Sequence, residues 1–421
     1  MSHNVYIKRA IEQSIIRTSQ TFPVVILTGA RQVGKSTLLQ HLVKTNKIKV
    51  TSFVTLDNFL DRELANNNPE VFLDKYKWPI LIDEIQYAPN LFSYIKVIVE
   101  KQRQINKQQS YGMFYLTGSH SYSLMKGVTE SLAGRTGIVE LLPLSNSEIF
   151  NYSSIPFLPN AKVLTKRNND LKLDNKKIFE IIFKGQYPEL YNNPKLSSSV
   201  YYESYIQTYI ERDVRNIVGV TDLLKFRRFL ESVAIRTGQE LIYLELAKDN
   251  EISTNTAIKW FSILQTSKLV YLLNPYYDSN FKKLTKRPKM YFLDTGLACY
   301  LSKINSEQTL ELSSFSGQFF ETFVVNEIIK SYANDGKNTS MYFYWFRNNS
   351  REEIDFIIDI NNKLYPIEIK KNISPESKNS MQYFPILSRS KKEVAEGGII
   401  CMTNELKFKD SKNMLIPLKT I

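Results

Sequence analysis

The chain has 421 residues, of which 43% are hydrophobic, and carries a formal net charge of +13. At roughly 150 residues per domain, this length predicts two to three domains. No apolar run approaches the about 18 residues that a membrane span requires, so no membrane span is expected. The two cysteines and three scattered histidines give neither a disulfide framework nor a zinc-ligand spacing. We therefore expect a cytoplasmic protein without a membrane partner.

The excess of positive charge favours an anionic partner, and nucleic acid is the first candidate. The alternative is that the lysines only maintain solubility or reflect an AT-rich genome. Charge alone does not decide between these explanations.

Residues 1–16 have the charge distribution of an amphipathic helix and not that of a signal peptide. A short apolar strand from Pro23 leads into the spacing G-x-x-x-x-G-K-S, which is typical of a phosphate-binding loop. A helix from Ser36 follows, so that its N-terminus faces the phosphates. The loop predicts binding of ATP and Mg²⁺, with Lys35 on the terminal phosphates and Ser36 on the metal. The predicted nucleotide ligands are Gly29, Ala30, Arg31, Gln32, Val33, Gly34, Lys35, Ser36 and Thr37.

A second apolar strand, Pro79 to Ile82, ends in two acids about fifty residues after the loop. Asp83 is predicted to bind the Mg²⁺ water shell beside Ser36. Glu84 is predicted to polarise the attacking water. The alternative is a strand that ends in a solvated acidic turn.

The strand within residues 112–121 ends in small hydroxyl residues, of which Ser119 or Thr117 would sense the γ-phosphate. Arg135 follows on a short turn. It is either an arginine finger, which requires a homo-oligomer, or one half of a surface ion pair. These two interpretations of Arg135 stay open.

Residues 161–177 are polar and basic, which indicates a linker or a mobile segment, or alternatively a contact to nucleic acid. Helical spacing resumes afterwards and reaches Arg212. This arginine is predicted either to approach the nucleotide from a lid helix or to form a salt bridge on a helix surface.

Three helices between Lys225 and Tyr271 and a following two-stranded ribbon have the order of a winged helix. The ribbon carries basic residues with no acid among them, which suits DNA phosphate contacts. The alternative is a module that only packs between domains. The basic residues are Lys282, Lys283, Lys286, Arg287 and Lys289.

The last stretch predicts a helix with Glu321, then a hairpin with Asp355 on one strand and Glu368-Ile369-Lys370 on the other. Residues two apart on a strand share a face, so Glu368 and Lys370 point into one site. The set is similar to the PD-(D/E)xK nuclease core, in which acids hold a divalent metal and the lysine positions water or stabilises charge. That similarity implies a second metal on Asp355 and Glu368. The alternative is a nuclease-like fold without activity.

The chain as a whole resembles a prokaryotic family of AAA-type P-loop ATPases that carry a C-terminal domain of unknown function. The matching strings include LTGARQVGKSTLL, LIDEIQYAPNLFSYIK, SLAGRTGIVELLPLS, YIERDV, YFLDTGLACYL and YPIEIKK. The resemblance implies an α/β AAA/ASCE-type sheet domain, a winged-helix module and a restriction-endonuclease-like domain.

We therefore predict four segments: an ATPase domain over 1–150, a helical linker or lid over 151–220, a winged helix over 221–300 and a nuclease-like domain over 301–421. The predicted function is an ATPase coupled to DNA-contacting and nuclease-like domains. Two alternatives are an ATP-dependent switch without enzymatic activity, and an ATP-gated metal-dependent nuclease.

Overall fold

The chain forms two compact units. Unit 1 is Met1–Leu144 with the short segments Thr266–Lys268 and Ala333–Gly336, and unit 2 is Ser145–Gln265, Leu269–Tyr332 and Lys337–Ile421. The structure is a computed structural model, and it describes residues 6–118, 127–128, 130–169, 171, 173–210, 222–279, 286–372 and 380–421.

Unit 1 is built on a parallel sheet. Its strands are β1 (Val24–Thr28), β2 (Ser52–Thr55), β3 (Ile80–Asp83), β4 (Phe114–Thr117) and β5 (Thr136–Glu140). They lie in the order β2-β3-β4-β1-β5, and every neighbouring pair is parallel. The strands β1, β3 and β4 are buried along their whole length, as apolar strands covered on both faces are. Because the strands are parallel, the residues that end β1, β3 and β4 meet at one edge.

The described helices of unit 1 are α1 (Glu12–Ser19), α2 (Lys35–Lys44), α3 (Phe59–Asn67), α4 (Pro69–Lys75) and α5 (Leu91–Ile105). α5 buries Phe92, Ile95 and Val99, which are spaced as one helical face, in a core shared with the sheet. This packing holds the strand ends that carry the site.

The N-terminal helix is shorter than residues 1–16 predict, because regular helix begins only at Glu12. Residues 6–9 are irregular and are held by side-chain contacts. The Tyr6 ring stacks on His41 with 3.7 Å between centroids. Arg9 donates a hydrogen bond to the Val33 carbonyl over 2.8 Å. These contacts favour an irregular segment packed on α2 and the loop before it.

Unit 2 begins with small helices: α6 (Asn146–Ile149), α7 (Ala161–Arg167), α8 (Asn175–Lys184), α9 (Pro188–Asn192) and α10 (Ser198–Tyr205). The expectation of a mobile linker over 161–177 is wrong for α7. Arg167 is buried, and its Nε donates to the Thr420 carbonyl over 2.5 Å. The Arg167 Nη1 donates to the Ser154 hydroxyl over 2.7 Å. A buried arginine that binds a carbonyl distant in sequence fixes this segment in the core.

The middle of unit 2 contains α11 (Leu223–Ile235), β6 (Gln239–Glu240), α12 (Tyr243–Asp249), α13 (Thr254–Thr266), β7 (Val270–Pro275) and β8 (Lys289–Phe292). β8 is antiparallel to both β7 and β6. Trp260 of α13 packs edge-on against Phe226 and Phe229 of α11, at 5.3 and 5.5 Å between ring centroids. The helices and the ribbon occur in the order that the sequence predicts.

The next helices are α14 (Thr295–Leu301), α15 (Glu307–Leu312) and α16 (Ser316–Ala333). α16 has 18 residues and is buried over most of its surface, with Phe320, Val324 and Ile328 at 0% exposure. A helix that is apolar on most sides belongs in a core. Among the described helices, none combines the length and hydropathy that crossing a bilayer requires.

The remaining strands are β9 (Phe343–Arg347), β10 (Glu353–Ile360), β11 (Lys363–Ile369), β12 (Glu393–Val394), β13 (Gly397–Cys401), β14 (Lys407–Phe408) and β15 (Asn413–Pro417). One ten-stranded sheet has the order β14-β15-β13-β11-β10-β9-β7-β8-β6, with β12 paired to β11. β7 joins β9 in parallel, with Asn274 opposite Tyr344. The sheet therefore continues across residue 300, where the sequence predicts a domain boundary.

Candidate functional site

The loop between β1 and α2 needs both of its glycines. Gly29 has φ of +150°, and a Cβ there would lie 2.2 Å from the Leu141 carbonyl oxygen. Gly34 has φ of +91° and is the residue before α2. Gln32 is also left-handed, at φ +59°. Left-handed positions of this kind make backbone nests that bind anions, here at the N-terminus of a ten-residue helix.

Lys35 is the first residue of α2 and is only 7% exposed. Its Nζ donates to the carbonyls of Gly29 and Ala30, over 3.2 and 2.8 Å. The ammonium group is thus folded over the loop whose amides the sequence predicts to hold phosphate. An ammonium group in this position supplies a point charge for a terminal phosphate.

Two hydroxyl groups converge on one carboxylate oxygen at the edge where the strands end. The Ser36 hydroxyl donates to Asp83 Oδ1 over 2.8 Å. The Thr117 hydroxyl, at the end of β4, donates to the same oxygen. Hydroxyl and carboxylate oxygens are ligands that suit Mg²⁺. Ser36 therefore lies beside Asp83 in the structure, as the sequence predicts, and the Thr117 hydroxyl is a second donor to the same carboxylate.

Glu84 follows β3 directly and has φ of +57° and ψ of +43°. A non-glycine residue in the left-handed region costs about 1–3 kcal/mol and persists where the surroundings enforce it. Its amide donates to the Thr117 hydroxyl over 3.4 Å, and its carboxylate accepts from the Gln86 side chain. Glu84 thus adopts a left-handed backbone directly where β3 ends, next to Asp83.

Other predicted positions have different outcomes. Ser119, Arg212, Lys282 and Lys283 lie outside the described residues. Arg135 forms an ion pair with Glu100 on α5, and its Nη1 donates to the Ala133 carbonyl over 2.8 Å. The ion-pair interpretation thus describes the structure. A finger role for Arg135 would require this pair to open.

Arg9 supports the loop and was missed from the sequence. Its guanidinium is buried and donates to the Val33 carbonyl over 2.8 Å and to the Leu142 carbonyl over 2.7 Å. It thereby connects the loop before α2 to the segment after β5. No spacing in the sequence signals this role, because both acceptors are backbone groups.

A second group of charges lies in unit 2, where the sequence predicts a nuclease-like site. Between Ile354 and Ile357 the register of β10 against β9 shifts, so that Asp355 and Phe356 oppose a single residue. Such a bulge redirects side chains. Asp355 Oδ2 accepts from the Ile369 amide over 2.9 Å and from Lys370 Nζ over 3.1 Å. Lys370 Nζ also lies 2.7 Å from Glu368 Oε2. Three of the four predicted side chains, Asp355, Glu368 and Lys370, therefore meet on one face.

Lys289 completes this group. Its Nζ lies 2.7 Å from Glu353 Oε1, 3.3 Å from Glu321 Oε1 and 3.9 Å from Asp355 Oδ1. The Tyr291 hydroxyl donates to Glu321 Oε1 over 2.7 Å. We name this set, Lys289, Tyr291, Glu321, Glu353, Asp355, Glu368 and Lys370, the carboxylate–lysine cluster.

Lys289 is therefore a correction to the predicted DNA-contacting ribbon. The residue is only 5% exposed, because the first position of β8 faces α16 and β10 and not solvent. Lys286 and Arg287 are exposed as predicted. In the sequence, Lys289 looks like the other basic residues of the ribbon, and only the structure shows that its side chain is buried.

Burial and neighbouring charges shift the pKa values of Glu368, Asp355 and Glu321 in different directions. Burial and the negative Asp355 raise the pKa of Glu368 to about 9. Burial acts to raise the pKa of Asp355 as well, but Lys289 and Lys370 outweigh it and hold that pKa below its usual range. Burial raises the pKa of Glu321 despite the nearby Lys289. One site thus holds an ionised aspartate beside a protonated glutamate at neutral pH.

The predicted metal on Asp355 and Glu368 gains no direct support from geometry. Over the described ranges, no three histidine, cysteine, aspartate or glutamate side chains are arranged to hold a metal ion. The carboxylates of the cluster are instead directed at the ammonium groups of Lys289 and Lys370. Second-metal binding stays a prediction.

Comparisons with known proteins divide the chain into three matches. The AAA domain family matches residues 21–150. Two families described as domains of unknown function, DUF8612 and DUF4143, match residues 175–308 and 316–421. The nucleotide loop and the two strand-end acids all fall within the first match.

The chain is 28% identical over 361 residues to the uncharacterized protein Rv2008c of Mycobacterium tuberculosis, covering 86% of this chain and 73% of that protein. It is 24% identical over 378 residues to the uncharacterized protein MJ1544 of Methanocaldococcus jannaschii, covering 85% and 76%. Among solved structures, the Walker-type ATPase PABY2304 of Pyrococcus abyssi aligns over 70% of this chain and 96% of its own, with 15% identity and a TM-score of 0.43. The segment that carries the loop and the two strand-end acids, residues 21–150, is thus the part of the chain that matches the AAA domain family.

Proposed function

We propose that the protein hydrolyses ATP at the loop of unit 1, with Glu84 as the base. The observation that carries this proposal is the meeting of Ser36 and Thr117 on one oxygen of Asp83, next to Glu84. Ser36 and Asp83 present hard oxygen ligands and so fit Mg²⁺, which would neutralise phosphate charge when it binds with ATP. The loop amides and Lys35 hold the triphosphate.

In this proposal Glu84 accepts a proton from the water that attacks the γ-phosphorus, while the bond to the β–γ bridging oxygen breaks and ADP leaves. Asp83 accepts the two hydroxyl donors and orients the metal ligands. A switch that binds ATP without turnover is the alternative. It would not need a carboxylate in the strained position of Glu84.

The test separates binding from hydrolysis. Lys35→Ala should bind ATP about 10- to 100-fold more weakly, because charge-assisted hydrogen bonds contribute roughly 1.5–3 kcal/mol. Exposed Lys44 on the same helix provides the matched control, Lys44→Ala. Glu84→Gln should bind ATP normally and turn over at least about 100-fold more slowly, since a positioned base contributes about that factor. Glu63→Gln removes one negative charge from an exposed position of α3 and is the control for the loss of charge in Glu84→Gln. Normal turnover by Glu84→Gln would leave the switch as the better explanation.

A winged-helix contact to DNA is a further proposal. It rests on the element order α11, β6, α12, α13, β7, β8 and on exposed Lys286 and Arg287 before β8. Replacing both by alanine should weaken duplex binding and reduce the salt slope by about 2, roughly 0.9 per phosphate contact. Lys407→Ala with Lys409→Ala, also exposed, is the control pair. Equal slopes for the two double variants would remove the ribbon from the interface.

An ATP-gated nuclease is the second candidate function. The observation that favours it is the approach of both Asp355 and Glu368 to Lys370, at 3.1 and 2.7 Å. Incubation of supercoiled plasmid with Mg²⁺ or Mn²⁺, with and without ATP, tests it against Asp355→Asn. Identical cleavage by the variant would assign any nicking to a contaminant.

A further inference from the structure

A single ammonium group lies where three carboxylates of the C-terminal cluster converge. Lys289 Nζ is within 4 Å of oxygens from Glu321, Glu353 and Asp355, at 3.3, 2.7 and 3.9 Å. These acids belong to two elements, since Glu321 is on α16 and the others are on β10. The Trp345 ring lies 5.1 Å from the same nitrogen. The ammonium group is thereby surrounded by anions and one aromatic face.

Unit 2 buries a second ammonium group, which serves as a comparison. Lys330 on α16 is at 0% exposure, and its Nζ lies 3.1 Å from one oxygen of Glu327. The same nitrogen donates to the amide oxygen of Gln186. Removal of the Lys330 charge can therefore be compared with removal of the Lys289 charge.

Asp355 is buried, and the side chains of Glu321 and Glu353 are 17% and 31% exposed. Carboxylates this close together repel one another unless a cation lies among them or protons neutralise them. Converging oxygen ligands are also what a divalent cation requires, at about 2.0–2.6 Å and not at hydrogen-bond length. The side chain of Lys289 enters from β8, a strand outside the 316–421 match that contains the three acids. The ammonium group that lies near all three of these acids therefore comes from a different segment of the chain.

We propose that Lys289 is a tethered substitute for a divalent metal ion, which holds Glu321, Glu353 and Asp355 together and keeps metal out of this site in the nucleotide-free protein. This inference deepens the nuclease candidate and rests on it for the chemistry of the site, but it is independent of ATP hydrolysis. The cluster is then closed to metal as long as β8 keeps Lys289 in place.

The experiment measures the thermal unfolding of the full-length chain without nucleotide, in EDTA and in Mn²⁺ or Mg²⁺. Wild type should show no metal-dependent shift in Tm. Lys289→Met keeps the apolar stem and removes the charge, so it should unfold earlier in EDTA and regain stability with metal. A metal concentration about 100-fold above Kd should raise its Tm by about 5 °C. Adding Asp355→Asn to Lys289→Met should abolish that gain.

Lys330→Met is the matched control, because it also removes a buried ammonium group of unit 2 but leaves the carboxylate–lysine cluster unchanged. It should lose stability in EDTA and gain nothing from metal. A wild-type Tm that rises with Mn²⁺ and no longer does so in Asp355→Asn would overturn the proposal. So would a folded Lys289→Met protein that is indifferent to metal. If Lys289→Met does not fold even with metal, Lys289→Ala is measured in its place, because alanine leaves room for an ion and its waters. The same two outcomes, stability in EDTA and gain with metal, then decide. Because nucleotide is absent throughout, the result does not depend on whether unit 1 hydrolyses ATP.

Discussion

The proton on Glu368 makes a measurable contribution to the pH dependence of stability. Burial and Asp355 raise the pKa of Glu368 from 4.5 to about 9. The folded protein therefore keeps this proton at neutral pH, whereas the unfolded chain has released it. For a raised pKa, the stabilisation is fully present below the unfolded value of 4.5 and is lost as pH rises towards 9. Glu368 thus makes the protein less stable at pH 8 than at pH 5.

The size of the effect follows from one proton. Each pH unit between the two pKa values changes the free energy of unfolding by about 1.4 kcal/mol, which amounts to about 4 kcal/mol between pH 5 and pH 8. A glutamine side chain at this position would be neutral at every pH and of the same shape as the protonated acid. We therefore expect Glu368→Gln to equal wild type near pH 5 and to become progressively more stable relative to it as pH rises.

Urea unfolding at four pH values between 5 and 8, in EDTA, checks this expectation. Tryptophan fluorescence reports mainly on unit 2, which contains Trp260 and Trp345 of the three tryptophans. Asp355→Asn is the contrasting control. Because the pKa of Asp355 is lowered, its stabilisation is present above about pH 4 and is lost only as pH falls. Asp355→Asn also removes a charge that helps to raise the pKa of Glu368, so the variant should lose less stability than wild type between pH 5 and pH 8. Parallel curves for wild type and Glu368→Gln would show that Glu368 is ionised in the folded protein, and would refute the reasoning.

Three further outcomes are expected in unit 1. Arg9→Met leaves the Val33 and Leu142 carbonyls without their donor and should lower the free energy of unfolding by about 2–6 kcal/mol and weaken ATP binding. The control is Arg17→Met at a side chain that is 59% exposed, and it should lower the free energy of unfolding by less than about 1 kcal/mol. If urea titrations show the same loss of stability for both variants, the support role of Arg9 is contradicted. Thr117→Val removes one donor from Asp83 and should reduce Mg²⁺-dependent ATP affinity by about tenfold, while calorimetry in EDTA shows unchanged nucleotide binding. Arg135→Ala should lower stability by less than about 1 kcal/mol and leave the ATPase rate within about twofold. A large fall in rate at unchanged stability would instead favour the finger role.

The nucleotide loop was predictable because its chemistry is local. Gly29, Gly34 and Lys35 act through the backbone around them, and the fixed spacing of the motif records that requirement. The position of Asp83 beside Ser36 was predictable for a related reason, since a parallel strand delivers its last residue to the edge where the loop lies. The AAA-type sheet domain that these features predict is confirmed by the family match over residues 21–150.

The supports of both sites were not predictable in this way. Arg9 binds two carbonyls, and backbone acceptors leave no trace in a sequence. Lys289 belongs to a basic run whose exposed and buried members look alike until the register of β8 is known. The bulge at Asp355 breaks the period of two on which strand-face arguments depend. Arg9 and Lys289 were thus missed because tertiary contacts override the local pattern, whereas Asp355 reaches its predicted neighbours through the bulge.

The parallel pairing of β7 with β9 bears on how the protein can be dissected. A fragment that starts at residue 316, where the last family match begins, would lack β7 and would leave the hydrogen-bonding edge of β9 bare, which invites aggregation. It would also lack Lys289, so Glu321, Glu353 and Asp355 would lose the ammonium group that lies near all three, which under our proposal opens them to divalent ions from the buffer. A metal-dependent nuclease activity measured on such a fragment would then be a property created by the truncation. A fragment that begins before α11 keeps the ribbon of β7 and β8, the helix α16 and the hairpin of β10 and β11 together. Only such a fragment would report on the carboxylate–lysine cluster as the intact chain holds it.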